Sequence, residues 1–218
     1  RIVVVVPLEQ ADPRCSLGYL QGPARGKMFG VLQARTSNGR HVQVRAFSGQ
    51  YNGLWQVPGW VDPVFDLQTF HHIHDAEERA IKALSRQIDR LSADAQERQE
   101  LLRLRKQKSQ HLMREIHSLY RLHNFQGRAA GLEKFFRPNK GIPTGTGDCC
   151  APKLLQYAAL HGLKPLGLAE FYLGRENASG TRQHGCFYPS CQIKCYPILG
   201  FMLCGAGQPK KEGEKTDS

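Results

Sequence analysis

From residue 75 to residue 123 the chain runs 49 residues without a single Gly or Pro. Within that stretch Ala80, Leu84, Ile88 and Leu91, then Leu101, Leu104, Leu112, Ile116 and Leu119, recur at three- and four-residue steps among charged residues. That is the period of an amphipathic helix. One unbroken helix would be about 73 Å long at 1.5 Å per residue, so a chain of 218 residues is better served by an antiparallel helical hairpin turning near residues 92–96.

The flanks carry different patterns. Residues 28–48 hold two β-prone runs joined by Ser37, Asn38, Gly39 and Arg40, and Asn-Gly supplies the two positive φ angles of a tight primed turn, which predicts a β-hairpin. Residues 49–70, rich in Gly, Pro and aromatics, predict an ordered packed loop. After a Gly-containing connector over 127–147 the pattern reads helix, strand, helix. Asp148 is the expected cap of the first helix, which has Pro152 in its first turn and stops at Gly162. A buried strand over 163–173 and a polar loop over 175–185 follow, and then a second helix opened by Pro189 and ending at Leu203. Residues 205–218 have the composition of a disordered tail. The expected architecture is an α/β core assembled from residues 1–74 and 124–204, with a helical hairpin, read as a coiled coil, inserted at 75–123.

The formal net charge is +11, which favours an acidic partner, and nucleic acid is the commonest one. On the second arm of the hairpin Arg103, Arg105, Lys106, Lys108 and Arg114 read either as a phosphate-tracking face or as the solvated side of a coiled-coil pair. The longest purely apolar run, residues 2–6, falls far short of the roughly 20 residues that a membrane-spanning helix needs, which argues against a membrane protein. With Arg rather than Met first, the chain reads as a fragment, a processed product or the ordered part of a longer protein.

Six of the seven cysteines follow Asp148. Such clustering, without a signal-peptide core, fits metal ligation or buried thiols in a reducing intracellular compartment (cytoplasm or organelle interior) better than a secreted disulfide scaffold. Cys191 and Cys195, four residues apart on a predicted helix, share a face. Cys150 stands at the start of the preceding helix, where the dipole and free amides favour a thiolate. These three predict a zinc site, its fourth position taken by water, His184 or Cys186. Cys149 and Cys204 are expected to pack in the core without ligating.

The order of hairpin, Gly147-Asp148-Cys149-Cys150-Ala151-Pro152, strand, and Pro189 to Cys195 resembles the zinc-dependent nucleobase deaminases. Those enzymes place a His or Cys followed by a catalytic Glu at one helix start and Pro-Cys-x-x-Cys at the next. The resemblance implies a deaminase-like β-β-α-β-α core. This chain departs from it in having three residues between Cys191 and Cys195 and Pro152 where the catalytic Glu belongs, which leaves Glu170 and Asp148 as the carboxylates available to move a proton.

A second resemblance covers roughly residues 26–204. The stretches GKMFGVLQA, VRAFSG, VDPVFDL, SLYRLHNFQG, GDCCAPKLLQYAALHGLKPLGLAEFYLG and HGCFYPSCQIKCYPILGFML are similar to the region found ahead of the catalytic domain in long RluA-like pseudouridine synthases. The catalytic domain of that family, with its Arg-Leu-Asp triplet, is not within these 218 residues. The resemblance therefore implies an accessory module of RNA modification that binds or positions rRNA or tRNA, free-standing or fused to a synthase domain, and does not itself catalyse pseudouridylation. The deaminase resemblance implies the alternative, an active zinc-dependent nucleobase or nucleotide deaminase with a relocated acid.

Overall fold

In the computed structural model, which describes residues 12–137 and 141–207, the regular elements follow one another as β1 (Lys27–Arg35), β2 (His41–Phe47), α1 (Leu67–Ile88), α2 (Gln96–Ser118), β3 (Arg121–His123), β4 (Ala129–Gly131), α3 (Cys150–Leu160), β5 (Lys164–Leu173), β6 (Phe187–Tyr188) and α4 (Tyr196–Met202). The fold class is mixed α/β. One antiparallel sheet has the order β2-β1-β5-β6, and β3 and β4 form a separate small hairpin. No described helix is long and apolar enough to cross a membrane.

Register decides what each face of the sheet carries. Phe29 pairs with Phe47 and with Phe171, and Phe171 pairs with Phe187, so one aromatic row crosses all four strands. Leu20, Tyr51 and Trp60 cover the buried part of that row. One residue along, the period-2 alternation of strands turns the next row to the opposite face. There Gly30 pairs with Ala46 and with Glu170. The small residues of this row, Gly30 and Ala46, let α3 lie close to β1: a Cβ added at Gly30 would sit 2.5 Å from the Cβ of Cys150. Leu32, Ala34, Cys150, Leu154 and Ala158 complete the layer between sheet and helix.

The β1–β2 hairpin forms with a different turn from the one Asn-Gly predicts. Gly39 takes a positive φ of 83° while Asn38 does not. The Gly39 N–H donates to the Thr36 carbonyl at 3.0 Å and the Thr36 N–H to the Arg40 carbonyl at 2.9 Å. This is a three-residue loop with Gly in the left-handed position. The Thr36 hydroxyl, which accepts from the Arg40 N–H, stabilises the longer form.

The helical hairpin is present, with corrected ends. Its first arm begins at Leu67, not Asp75, because the Asp66 carboxylate accepts from the Thr69 N–H at 2.8 Å and caps the helix. Its second arm ends at Ser118, after which residues 121–131, expected as helix end and connector, form the β3–β4 hairpin. The roots of both arms enter the largest core, where Phe70, Leu112, Ile116 and Tyr120 pack with Phe65, Leu122, Leu132, Leu155, Ile198 and Met202. The expected buried strand is β5, but only Glu170 and Tyr172 along it are fully buried. The second Cys-rich helix is shorter than expected: α4 starts at Tyr196, and residues 192–195 form a turn. Of the expected tail, residues 208–218 lie outside the described residues.

A three-cysteine candidate metal centre

The candidate centre is built where α3 and α4 begin. Cys149 flanks the start of α3 and Cys195 flanks the start of α4. The turn between Cys191 and Cys195, closed by the Tyr196 N–H donating to the Cys191 carbonyl at 3.0 Å, folds Cys191 back beside Cys195. The three sulfurs of Cys149, Cys191 and Cys195 lie within 4.8 Å of one another, with Cys195 buried and the other two half-buried. Tetrahedral zinc with Zn–S bonds near 2.3 Å sets its thiolates about 3.8 Å apart, so small side-chain adjustments close the set on a metal.

Of the three cysteines expected to share a metal, Cys191 and Cys195 lie in the cluster and Cys150 does not. Cys150 fills the notch above Gly30, and its Sγ donates to the Met28 carbonyl at 3.5 Å. Burial pushes its thiol pKa up, as it also does for Cys149, so geometry alone separates the two: Cys150 lies outside the cluster of sulfurs. Cys149, expected to pack without ligating, lies in the cluster instead. Consecutive residues at a helix start point about 100° apart, so only one of the two adjacent thiols faces α4. Pro152 in the first turn is satisfied by either choice, and the decisive feature, the Gly30 notch, lies 120 residues away in sequence. Neither His184, whose Nδ1 accepts from the Gly174 N–H at 2.9 Å, nor the exposed Cys186 belongs to the cluster.

The surroundings favour a thiolate at Cys195. Its pKa is lowered first by a hydrogen bond from the Cys149 thiol and then by the backbone N–H groups of Gly147 and Cys149, against the cost of burial. The same contact raises Cys149, the proton-bearing partner, and burial and the charges of Cys191 and Glu170 add to the rise. Amide donors to a ligand sulfur are the second-shell support that metal thiolates use. Gly147 holds this geometry with a φ of 92°, and a Cβ there would press on the Tyr120 ring at 2.8 Å.

The two candidate carboxylates take different roles. Asp148 does not cap α3, whose N-cap is Cys149. It is half-buried, and the loss of solvent raises its pKa; it accepts from the Tyr120 hydroxyl at 2.6 Å, and that bond, Lys153 and Lys194 oppose the rise. It braces the loop before Cys149. Glu170 sits in the row that faces α3, and its Oε1 accepts from the Ala151 N–H at 2.8 Å at the helix start. Only 5% of it is exposed, and burial raises its pKa while the Ala151 amide and the Ser190 hydroxyl hold the rise in check. It borders an open groove of about 380 Å³ with Phe187, Tyr188 and Ser190.

The five basic residues of α2 do not form one face. Arg105, Lys106 and Arg114 line a groove of about 1120 Å³ with Met113 and Ile142. Lys108 instead pairs with Glu77 of α1 at 3.2 Å, and exposed Arg103 is not among the residues lining that groove.

No protein-family model, curated protein or solved structure matches the chain. The functional reading therefore stands on the site itself.

Proposed function

We propose that this chain is a zinc-binding accessory module of RNA modification, with a deaminase-like core and a coiled-coil-like hairpin, that holds rRNA or tRNA for a pseudouridine synthase domain fused to it or separate from it. The observation that carries the reading is the convergence of Cys149, Cys191 and Cys195 at two adjacent helix starts. Three soft donors, one already biased toward thiolate by the Cys149 thiol and by backbone amides, suit zinc better than magnesium or calcium, which take oxygen ligands. The basic groove on α2 supports the RNA part, since guanidinium and ammonium groups on one wall give phosphate contacts without sequence choice. Exposed Ile193 and Tyr196, beside the cysteines, support a protein or nucleotide surface next to the metal.

A second reading, an active deaminase, is favoured by one specific observation: the Glu170 carboxylate reaches the start of α3, the helix start that carries Cys149. Zinc held by three thiolates supplies Lewis acidity at an open fourth position. Glu170, whose pKa burial raises, would accept and return a proton there, and its groove gives access. The readings are separated by incubating zinc-loaded protein with cytidine, adenosine and single-stranded RNA and assaying uridine and inosine by mass spectrometry. The accessory reading expects no product. Turnover abolished by Glu170→Gln, in protein that still binds zinc, would establish the deaminase instead.

A further inference from the structure

At the opposite end of α3 from the cysteines, a groove of about 470 Å³ runs between the open edge of β2, residues 59–61 and the last turn of α3. The residues that define it are Arg40, Gln43, Arg45, Trp60, Tyr157 and His161. From Cys149 to His161 the helix rises about 18 Å, so this groove is separate from the metal centre.

Three features give it a chemical character. β2 is the edge of the sheet, and the Arg45 carbonyl points away from β1, accepting from the Val61 N–H at 2.9 Å. Antiparallel alternation gives Gln43, two residues earlier, an outward N–H and C=O as well. These face the groove as a donor and acceptor pair. Next, His161 stacks on Tyr157 with ring centroids 3.9 Å apart and 19° between planes, which leaves the outer face of the exposed His161 ring free. Trp60, braced against Phe29 and Phe47, forms part of the facing wall. Finally, Arg40 and Arg45 are exposed, form no ion pair among the described residues, and no carboxylate lines the groove.

An acidic peptide added as a strand is a poorer fit. The Val61–Arg45 bond closes the open edge at one end and the Thr36–Arg40 turn closes it at the other, which leaves too short a ladder for strand addition. Rings for stacking, exposed cations for phosphate, and a backbone pair for a base edge instead match a nucleotide, and the volume suits one. We propose that this groove binds one nucleotide of a single-stranded RNA, its base on His161 and its flanking phosphates on Arg40 and Arg45. The inference rests on the RNA association proposed above and not on the metal.

The test uses the full chain, zinc-loaded, and a labelled oligouridylate of about eight nucleotides, followed by anisotropy at several salt concentrations. Arg40→Ala with Arg45→Ala should weaken binding about tenfold or more and flatten the log–log salt slope by about 1.4, at roughly 0.7 per phosphate on a single strand. His161→Ala should weaken binding about tenfold and leave the slope unchanged. A photoreactive 4-thiouridine version bound to unaltered protein should cross-link within residues 36–45 or 157–163, which frees the test from any folding defect of the variants. Cross-links confined to other segments, or unchanged affinity in both variants, would overturn the proposal. Loss of binding only on reversing Arg105, Lys106 and Arg114 would keep RNA association and remove this pocket, whereas an unaltered protein that binds no RNA would remove both. Displacement of nothing but an acidic peptide would make it a peptide site.

Discussion

Lys153 is 1% exposed, yet it carries an ammonium group. Its Nζ donates to the carbonyls of Phe47 at 3.1 Å and Gly49 at 2.9 Å, and it lies over the rings of Phe47 and Trp55, so it pins the end of β2 to α3. Burial still lowers its pKa to about 8 from 10.5. Between those values the unfolded chain holds the proton that the folded chain has lost, so this residue adds stability as pH rises through that window, by about 3 kcal/mol in total. The stability difference between the unaltered protein and Lys153→Met should therefore change by that order from pH 7 to pH 10.5, in favour of the unaltered protein. A difference that stays constant in denaturant melts across that range would show that Lys153 keeps its ordinary pKa. Nothing in the helical period marks Lys153 as buried, because its partners are backbone carbonyls at and just after the end of β2, about a hundred residues earlier. Gly147 is a second case at this scale. Gly147→Ala meets both a left-handed backbone and the Tyr120 ring, so it should lower zinc affinity and cost about 1–3 kcal/mol, read by metal competition and thermal melts.

The α1–α2 hairpin is the element whose parts do different work. Its buried residues are Phe70, Leu112 and Ile116 at the root and Ile88 near the tip. Replacing residues 83–108 by a short Gly linker thus removes one buried side chain of the four. The remaining core should stay folded and cooperative by circular dichroism; loss of all cooperative melting would show that the distal hairpin is part of the core. Within α2, reversing Arg105, Lys106 and Arg114 should reduce RNA affinity and flatten its salt dependence, while Lys108→Glu should act mainly on the pair with Glu77, worth at most about 1 kcal/mol at this exposure. The hairpin itself was legible from its unbroken three- and four-residue period. Its true start was not, because His71, His72 and His74 interrupt the apolar pattern while the decisive cap, Asp66 with Thr69, is a local signal inside a loop-like stretch. The charge cluster on α2 was legible as charge, but its division between a groove and an ion pair depends on where α1 lies.

At the scale of the molecule, the sheet register brings the row of Gly30 and Glu170 under α3, and the two helix starts bring their cysteines together. The order of helix, strand and helix after residue 147 could be read from the pattern, and Cys191 and Cys195 do lie side by side, though across a turn and not on the helix face that their spacing predicted. The choice between adjacent cysteines could not, since it depends on the direction in which α3 presses on β1. That choice is the central claim: the metal is held by Cys149, Cys191 and Cys195, and Cys150 is a packing residue. Because bound zinc stabilises only the folded chain, a chelator should also lower the melting temperature of the unaltered protein. The most direct measurement is the zinc content of protein purified without chelator, compared with Cys149→Ser, Cys150→Ser and Cys195→Ser. The account predicts about one zinc per chain in the unaltered protein and in Cys150→Ser, whose hydroxyl can still donate to Met28, and loss of zinc in the other two. Zinc retained in Cys149→Ser but lost in Cys150→Ser, or no zinc in the unaltered protein, would contradict it.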